Sequence, residues 1–263
     1  MTVLRVEATG PLVLVEDGGR PGLAHLGVGV SGAADPLGLA AANVAVGNPA
    51  DAAGLEVLLG GLVLRALAPC VVAVGSFVHR LGVDEVVSVG AGPLRQYVAV
   101  QGGVDVPPVL GSRARDTLAA LGPEPLAVGD LIRCGTSRGA GSAPSHDGLV
   151  RVHPGPRADH FHPGTLDLLA TAAWIVSATS DRTAVRLEGP ALVRRTETEL
   201  PPEGLLPGAV QVPPSGQPIV FLVDHPVTGG YPVIGVVERG DLGVLAQAAP
   251  GSTVRFTPTW DVP

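Results

Sequence analysis

The runs Val71-Val72-Ala73-Val74, Val86-Val87-Ser88-Val89 and Tyr97-Val98-Ala99-Val100, the last leading into Gln101-Gly102-Gly103-Val104-Asp105, decide the fold class. Each is short, apolar and rich in Val, whose branched Cβ suits a pleated, half-buried surface. Gly, Pro or Asp brackets most such runs, as strand signals require. Outward from this block the pattern recurs at Leu62-Val63-Leu64, at Leu12-Val13-Leu14-Val15 and, far downstream, at Ile219-Val220-Phe221-Leu222-Val223. Helices are few. The best begins at Asp35-Pro36, with Asp as N-cap and Pro at the first helical position, runs from Leu37 to Val46 and stops at Gly47. A second candidate covers about Leu166 to Trp174, and a short third follows Asp241. The pattern predicts a mainly β protein with few short helices.

Composition agrees. The chain has 263 residues, enough for one large all-β domain or two smaller ones with their own cores. A hydrophobic content of 46% and a positive mean hydropathy argue against disorder, so the 37 Gly and 26 Pro residues read as turns between short strands. The net charge of −7, with no basic block, argues against a phosphate-neutralising surface and hence against nucleic-acid binding. The N-terminus lacks the basic-then-apolar plan of a signal peptide, and no apolar run approaches the ~20 residues of a membrane span. The expectation is a soluble cytoplasmic protein with no membrane partner. Cys70 and Cys134 have neither metal spacing nor the number for a disulfide framework. All 17 basic side chains are Arg. A sequence without Lys has no P-loop ammonium, no Schiff-base amine and no amine on which to carry biotin covalently.

The stretch from Thr136 to Gly148, rich in Gly, Ser and Pro, reads as a linker between an N-terminal domain, 1–140, and a C-terminal domain, 141–263. The halves share a faint order of signals. Leu55-Glu56 parallels Leu187-Glu188, Pro108-Val109-Leu110-Gly111 parallels Pro232-Val233-Ile234-Gly235, and Gly129–Arg133 parallels Gly251–Arg255. This reads as an ancient duplication, with chance matches in a Val/Gly-rich chain as the alternative.

Five segments carry candidate chemistry. In Glu16-Asp17-Gly18-Gly19-Arg20-Pro21-Gly22, followed by His25, the glycines permit close backbone approach, and the planar fork of Arg20 matches two oxygens of an anion. In Ser31-Gly32-Ala33-Ala34-Asp35 a hydroxyl and free amides precede a helix start that favours negative charge. In Gln101-Gly102-Gly103 the amides at a strand end are candidate oxyanion donors, with Gly111-Ser112-Arg113 continuing the loop. Arg182, Arg186 and Glu188 alternate along one strand face. Gln211 to Gln217, joined after a strand to Asp224-His225 and Thr228-Gly229-Gly230-Tyr231, is a polar, Gly-rich pair of loops suited to a ligand. The plain reading of each is a turn or a wet face. No G-x-S-x-G, H-E-x-x-H or Cys pair at zinc spacing occurs.

Taken together, Asp17-x-Gly19-Arg20-Pro21-Gly22-x-x-His25-Leu26-Gly27, Ser31-Gly32-Ala33-x-Asp35, Gly47-Asn48-Pro49, the run Gln101 to Arg113, Ser180-Asp181-Arg182, Gln211-Val212-Pro213-Pro214-x-Gly216-Gln217-Pro218 and Thr228-Gly229-Gly230-Tyr231-Pro232 resemble the family of 5-oxoprolinase C subunits. This family has also been labelled allophanate hydrolase subunit 2, and it is similar to the carboxyltransferase domain of urea carboxylase. The resemblance covers nearly the whole chain. It departs at Leu23, where an aromatic is expected, and at Thr183-Ala184, where Met-Gly is expected. It implies two cyclophilin-like β-barrel subdomains and a B subunit as partner in a heterodimer or heterotetramer, with a third subunit in the full enzyme. It implies ATP, with Mg, used in the complex to open the lactam of 5-oxoproline to glutamate. Carboxyl transfer to a urea-derived amide, and a non-catalytic regulator that binds a kinase inhibitor, are the alternatives. On the family's motifs, Asp35, Asp224 and His25 are the candidate catalytic groups. Asp17, Arg20, Ser31, Gly32, Gln101, Gly102, Gly103, Arg113, Gln211, Gln217, Thr228, Gly229, Gly230 and Tyr231 are candidates for binding substrate or anion. No metal ligand is expected on this chain.

Overall fold

The computed structural model describes residues 2–139, 145–196 and 200–261. The first half contains β1 (Thr2–Ala8), β2 (Leu12–Glu16), α1 (Pro36–Ala45), β3 (Gly54–Leu58), β4 (Val63–Ala66), β5 (Cys70–Val74), β6 (Phe77–Leu81), β7 (Val86–Ser88), β8 (Arg95–Val100) and β9 (Leu131–Arg133). The second contains β10 (Arg151–Pro154), α2 (Thr165–Thr171), β11 (Trp174–Val176), β12 (Ala184–Glu188), β13 (Glu203–Gly204), β14 (Ala209–Gln211), β15 (Ile219–Phe221), β16 (Thr228–Gly229), β17 (Val233–Val237), α3 (Leu242–Ala246), β18 (Thr253–Val254) and β19 (Thr257–Pro258). The protein is mainly β with three short α-helices among the described residues, as its sequence predicts. No helix among them is long and apolar enough to cross a membrane.

The chain divides into two compact units. The first takes residues 1–22, 30–116 and 120–145; the second takes Leu23–Gly29, Thr117–Ala119 and 146–263. The Thr136–Gly148 linker lies partly outside the described residues, since 140–144 are not described.

In the first unit the strands form a four-stranded sheet, β7-β4-β1-β9, and a five-stranded sheet, β2-β3-β8-β5-β6. Period-two alternation explains how they stack. Val98 and Val100 of β8 and Leu55 and Val57 of β3 join Leu4, Leu64 and Ile132 of the other sheet in one buried cluster. The intervening Tyr97 and Ala99 face the other way and pack with Leu39, Ala42 and Val46 of the α1 region. The centre of the five-stranded sheet, β3 and β8, is therefore covered on both faces, while the edge strand β6 is largely exposed. That is why β3 is buried almost throughout, Glu56 included.

In the second unit eight strands form one sheet in the order β18-β11-β12-β15-β14-β17-β10-β19, and β13 and β16 make a separate ribbon. Helix α2 stops at Thr171, short of the expected Trp174. Trp174 instead enters β11 opposite Val254, fully buried, with its indole N–H donating to the Leu169 carbonyl at 2.9 Å. The parallel signals of the two halves have unequal structures. Leu55-Glu56 and Leu187-Glu188 both lie in strands. Val109 forms only a tight bridge with Ser112, whereas Val233 opens a five-residue strand.

Candidate functional site

Helix α1 begins as its sequence dictates. Asp35 is the N-cap, its carboxylate accepting from the Gly38 amide at 3.1 Å, and Pro36 fills the first helical position. The loop leading into it is held from below. The Asp35 amide donates to the Tyr97 hydroxyl at 2.7 Å, that hydroxyl donates to Glu56 Oε2 at 2.8 Å, and the Ala34 amide reaches the same oxygen at 2.9 Å. Arg95 lies 3.4 Å from Glu56 Oε1. Burial, with the charges of Glu56 and Asp35 beside it, raises the Tyr97 phenol well above its ordinary pKa, so it stays a neutral donor. Asp35 is thus engaged in capping and loop closure.

The Asp17 loop packs against the same segment. Asp17 accepts from the Gly19 amide at 2.8 Å, from the Ser112 hydroxyl at 2.6 Å and from the Arg113 amide at 2.6 Å. It organises the loop. Gly32, at φ +93°, has no room for a side chain, because a Cβ would lie 2.8 Å from the Gly19 nitrogen and 2.9 Å from the Asp17 carbonyl. Ser31 adopts φ +52° and donates to the Arg115 carbonyl at 3.2 Å. Arg20 is 2% exposed. Its guanidinium donates through Nη2 to the Ala114 carbonyl, while Nε and Nη1 have no hydrogen-bond partner among the described residues.

The Gly102-Gly103 pair is built differently from the expected oxyanion cradle. The Gly102 amide donates to Asn48 Oδ1 at 2.8 Å and the Gly103 amide to the Val100 carbonyl at 2.8 Å. Asn48 is in turn held by Asn43 at 3.0 Å and by Val100 at 2.9 Å. Both amides are spent on closing the strand end. Gln101 is exposed and donates to the Val46 carbonyl at 3.3 Å. Asp17, Gly102, Gly103 and Arg113 nevertheless line one polar cleft of about 520 Å³, together with Asp51 and Asp105. Arg113 Nη2 stands 3.6 Å from Asp105 in it.

In the second unit Asp224 is 1% exposed and is held by Arg182, Nε to Oδ2 at 3.0 Å. It also accepts from the Thr117 amide at 3.0 Å and the Thr117 hydroxyl at 2.6 Å. Burial alone would raise its pKa, but the Arg182 charge and these hydrogen bonds outweigh it and hold the carboxyl below its usual value. A carboxylate tied up in this way is a poor base. Arg182 lies before β12 and is 4% exposed, so it does not share the wet face on which Arg186 and Glu188 of that strand lie. His25 is exposed on a single 3₁₀ turn, Ala24–Leu26. It and Asp224 belong to the second unit and Asp35 to the first.

The loops expected to meet in this unit do meet. Buried Gln211 donates to the Tyr231 carbonyl at 2.9 Å, and a Cβ on Gly229 would lie 2.7 Å from Gln211 Nε2. Thr228 and Gly229 pair with Gly204 and Glu203. Gln217 brackets Gly189, accepting from its amide at 2.8 Å and donating to its carbonyl at 3.1 Å. Gly216, Gly230 and Tyr231 line a cavity of about 440 Å³ with Val193, Arg194 and Ser215. Sequence reasoning missed Tyr97, Arg95 and Arg194 as polar groups of these sites and used Glu56 only as part of the repeat signal. The one available signal was Glu56 alone in an otherwise apolar strand. Among the described residues no group of three His, Cys, Asp or Glu side chains is placed to hold a metal.

A two-sheet β unit and a second β unit each carry a cavity lined in part by glycines and polar side chains. The family profile described as carboxyltransferase domain, subdomain A and B, matches residues 26–89 and 76–258, and the chain belongs to this family. It is 36% identical to the C subunit of 5-oxoprolinase from Escherichia coli, over 97% of this chain and 90% of that one. It is 32% identical to the Haemophilus influenzae protein of the same name, over 92% and 86%. The crystal structure of Kluyveromyces lactis urea carboxylase superposes with a TM-score of 0.89 at 25% identity, over 97% of this chain and 27% of that chain. TTHA0988 superposes with a TM-score of 0.83 at 32% identity, over 98% of this chain. The protein spans about half of that solved chain, 55%.

Proposed function

We propose that this chain is the C subunit of an ATP-dependent 5-oxoprolinase, opening 5-oxoproline to glutamate together with a B subunit and a third subunit. The observation that carries the reading is 36% and 32% identity, over nearly the full length, to two bacterial proteins of that name. A lactam is a poor electrophile; phosphorylating its oxygen activates the ring carbon, water adds there, and the C–N bond breaks as the nitrogen takes up a proton. A second water hydrolyses the resulting acyl phosphate to carboxylate and phosphate. That chemistry needs cations, donors and a base around the reacting carbon. This chain supplies few of them in free form. Asp35 caps a helix and Asp224 is paired with Arg182. The Gly102 and Gly103 amides are used internally, and the sequence has no Lys. In this reading the phosphate donor, with Mg, and the water-activating group are provided in the complex, while this subunit contributes scaffold and substrate contacts.

The test is to assay 5-oxoproline-dependent ATP hydrolysis with the chain alone and with its partner subunits. Turnover only with the partners present is the expected result; none with all of them rejects the reading. The superposition on urea carboxylase favours carboxyl transfer as a second reading. With no Lys, the biotin would sit on a separate carrier. Carrier-dependent carboxylation of urea, without oxoproline-dependent ATP hydrolysis, would select it.

A further inference from the structure

The cavity of about 440 Å³ in the second unit falls within the size range of small-molecule sites. Its lining is divided. Ala191, Val193 and Pro214 give it apolar wall, and Arg194, Ser215 and Tyr231 give it polar groups. Tyr231 is 45% exposed, an aromatic surface left open to solvent beside the cavity. Most of the arginines with described partners are tied to carboxylates: Arg65 to Glu7, Arg151 to Asp241, Arg157 to Glu203 and Arg182 to Asp224. Arg194 is different. It is half-buried at the cavity and its guanidinium makes no hydrogen bond or ion pair among the described residues. A guanidinium with no carboxylate partner among the described residues, beside an apolar wall and an aromatic ring, matches a monoanionic organic acid with a small, flat body. A dianion such as phosphate would leave charge unmatched here and find nothing for the apolar wall to cover.

We propose that this cavity binds a small organic acid, with Arg194 pairing with its carboxylate and Tyr231 and the apolar wall covering its body. The choice of 5-oxoproline as the physiological acid rests on the function proposed above; the carboxylate chemistry does not. Two variants separate charge from space. Arg194→Gln removes the cation without breaking a described contact. Gly230→Val narrows the cavity from a position where, among the described residues, an added Cβ would meet only the Leu200 carbonyl, at 3.6 Å.

The experiment is calorimetric titration of the full chain with 5-oxoproline, its carboxamide, cyclopentanecarboxylate and inorganic phosphate, with unfolding curves to check that both variants fold. A charge-assisted pair lost from the site weakens binding about tenfold or more. The expected result is acid binding weakened that much by Arg194→Gln, weakened also by Gly230→Val, and a carboxamide that binds poorly and ignores the Arg194 substitution. Acid affinity equal in wild type and both variants, no acid binding at all, or phosphate binding as well as the acids overturns the proposal. If cyclopentanecarboxylate binds through Arg194 and 5-oxoproline does not, the cavity is a carboxylate site for a different acid, and the oxoprolinase reading is decided by the turnover assay with the partner subunits. If the assembled enzyme turns over 5-oxoproline with a KM that Arg194→Gln leaves unchanged, the oxoprolinase reading stands and this cavity is not its substrate site.

Discussion

At the residue scale, two buried polar clusters are the places where one atom matters most. Tyr97→Phe keeps the ring in the core but removes the hydroxyl that serves both the Asp35 amide and Glu56. Leaving a buried donor and a carboxylate oxygen without that partner costs about 1–3 kcal/mol, read as a lower unfolding midpoint. The Arg182–Asp224 pair is more exacting. Arg182→Met strands a buried carboxylate and costs about 3–5 kcal/mol, whereas Arg182→Met combined with Asp224→Leu costs less than the sum of the two single changes. Asp224 also sets a pH dependence. Its folded pKa lies below the unfolded value of about 3.9, so its contribution is complete above that pH and is lost as the pH falls through the folded pKa. Acid titration of wild type should show this loss, and Asp224→Asn should flatten that part of the curve. Neither cluster was legible in the sequence. Asp224 meets Arg182 from 42 positions away, beyond the ends of the paired strands β12 and β15, and Glu56 meets Tyr97 from 41, opposite it in the β3–β8 register.

At the scale of elements, local signals served well. The Asp35-Pro36 start and Gly47 stop of α1 were readable because capping is local physics, and Asp35→Ala is expected to cost about 1 kcal/mol of stability. Strand identities were readable because Val-rich alternation has few other outcomes. Partner choice was not. The Gly102-Gly103 step looks like an anion cradle in sequence, yet Asn48 arrives from 54 residues upstream and takes the first amide. Packing sets a larger scale of cost. Leu64 of β4 is fully buried between the sheets of the first unit, and Leu64→Ala should lose about 2–5 kcal/mol by chemical denaturation.

At the scale of the whole molecule, the two thiols report on integrity. Cys70 and Cys134 both pack against the sheet-to-sheet core, and burial pushes the Cys134 thiol up to about 12 and raises that of Cys70 as well. Neither thiol is appreciably ionised at pH 8. Both should react slowly with a thiol-specific reagent in the native protein and promptly in denaturant; fast native reaction would mean that the core of the first unit opens readily.

The second unit is discontinuous in the chain, since Leu23–Gly29 and Thr117–Ala119 belong to it. Its inheritance is therefore not modular. A chimaera that joins residues 146–263 to the first half of a relative leaves Thr117 behind, and with it two of the hydrogen bonds on Asp224. Such a hybrid carries the Arg182–Asp224 pair with it, but Asp224 recovers its side-chain hydrogen bond only when the relative has a Ser or Thr at position 117. The second half of the sequence thus places a requirement on position 117 in the first.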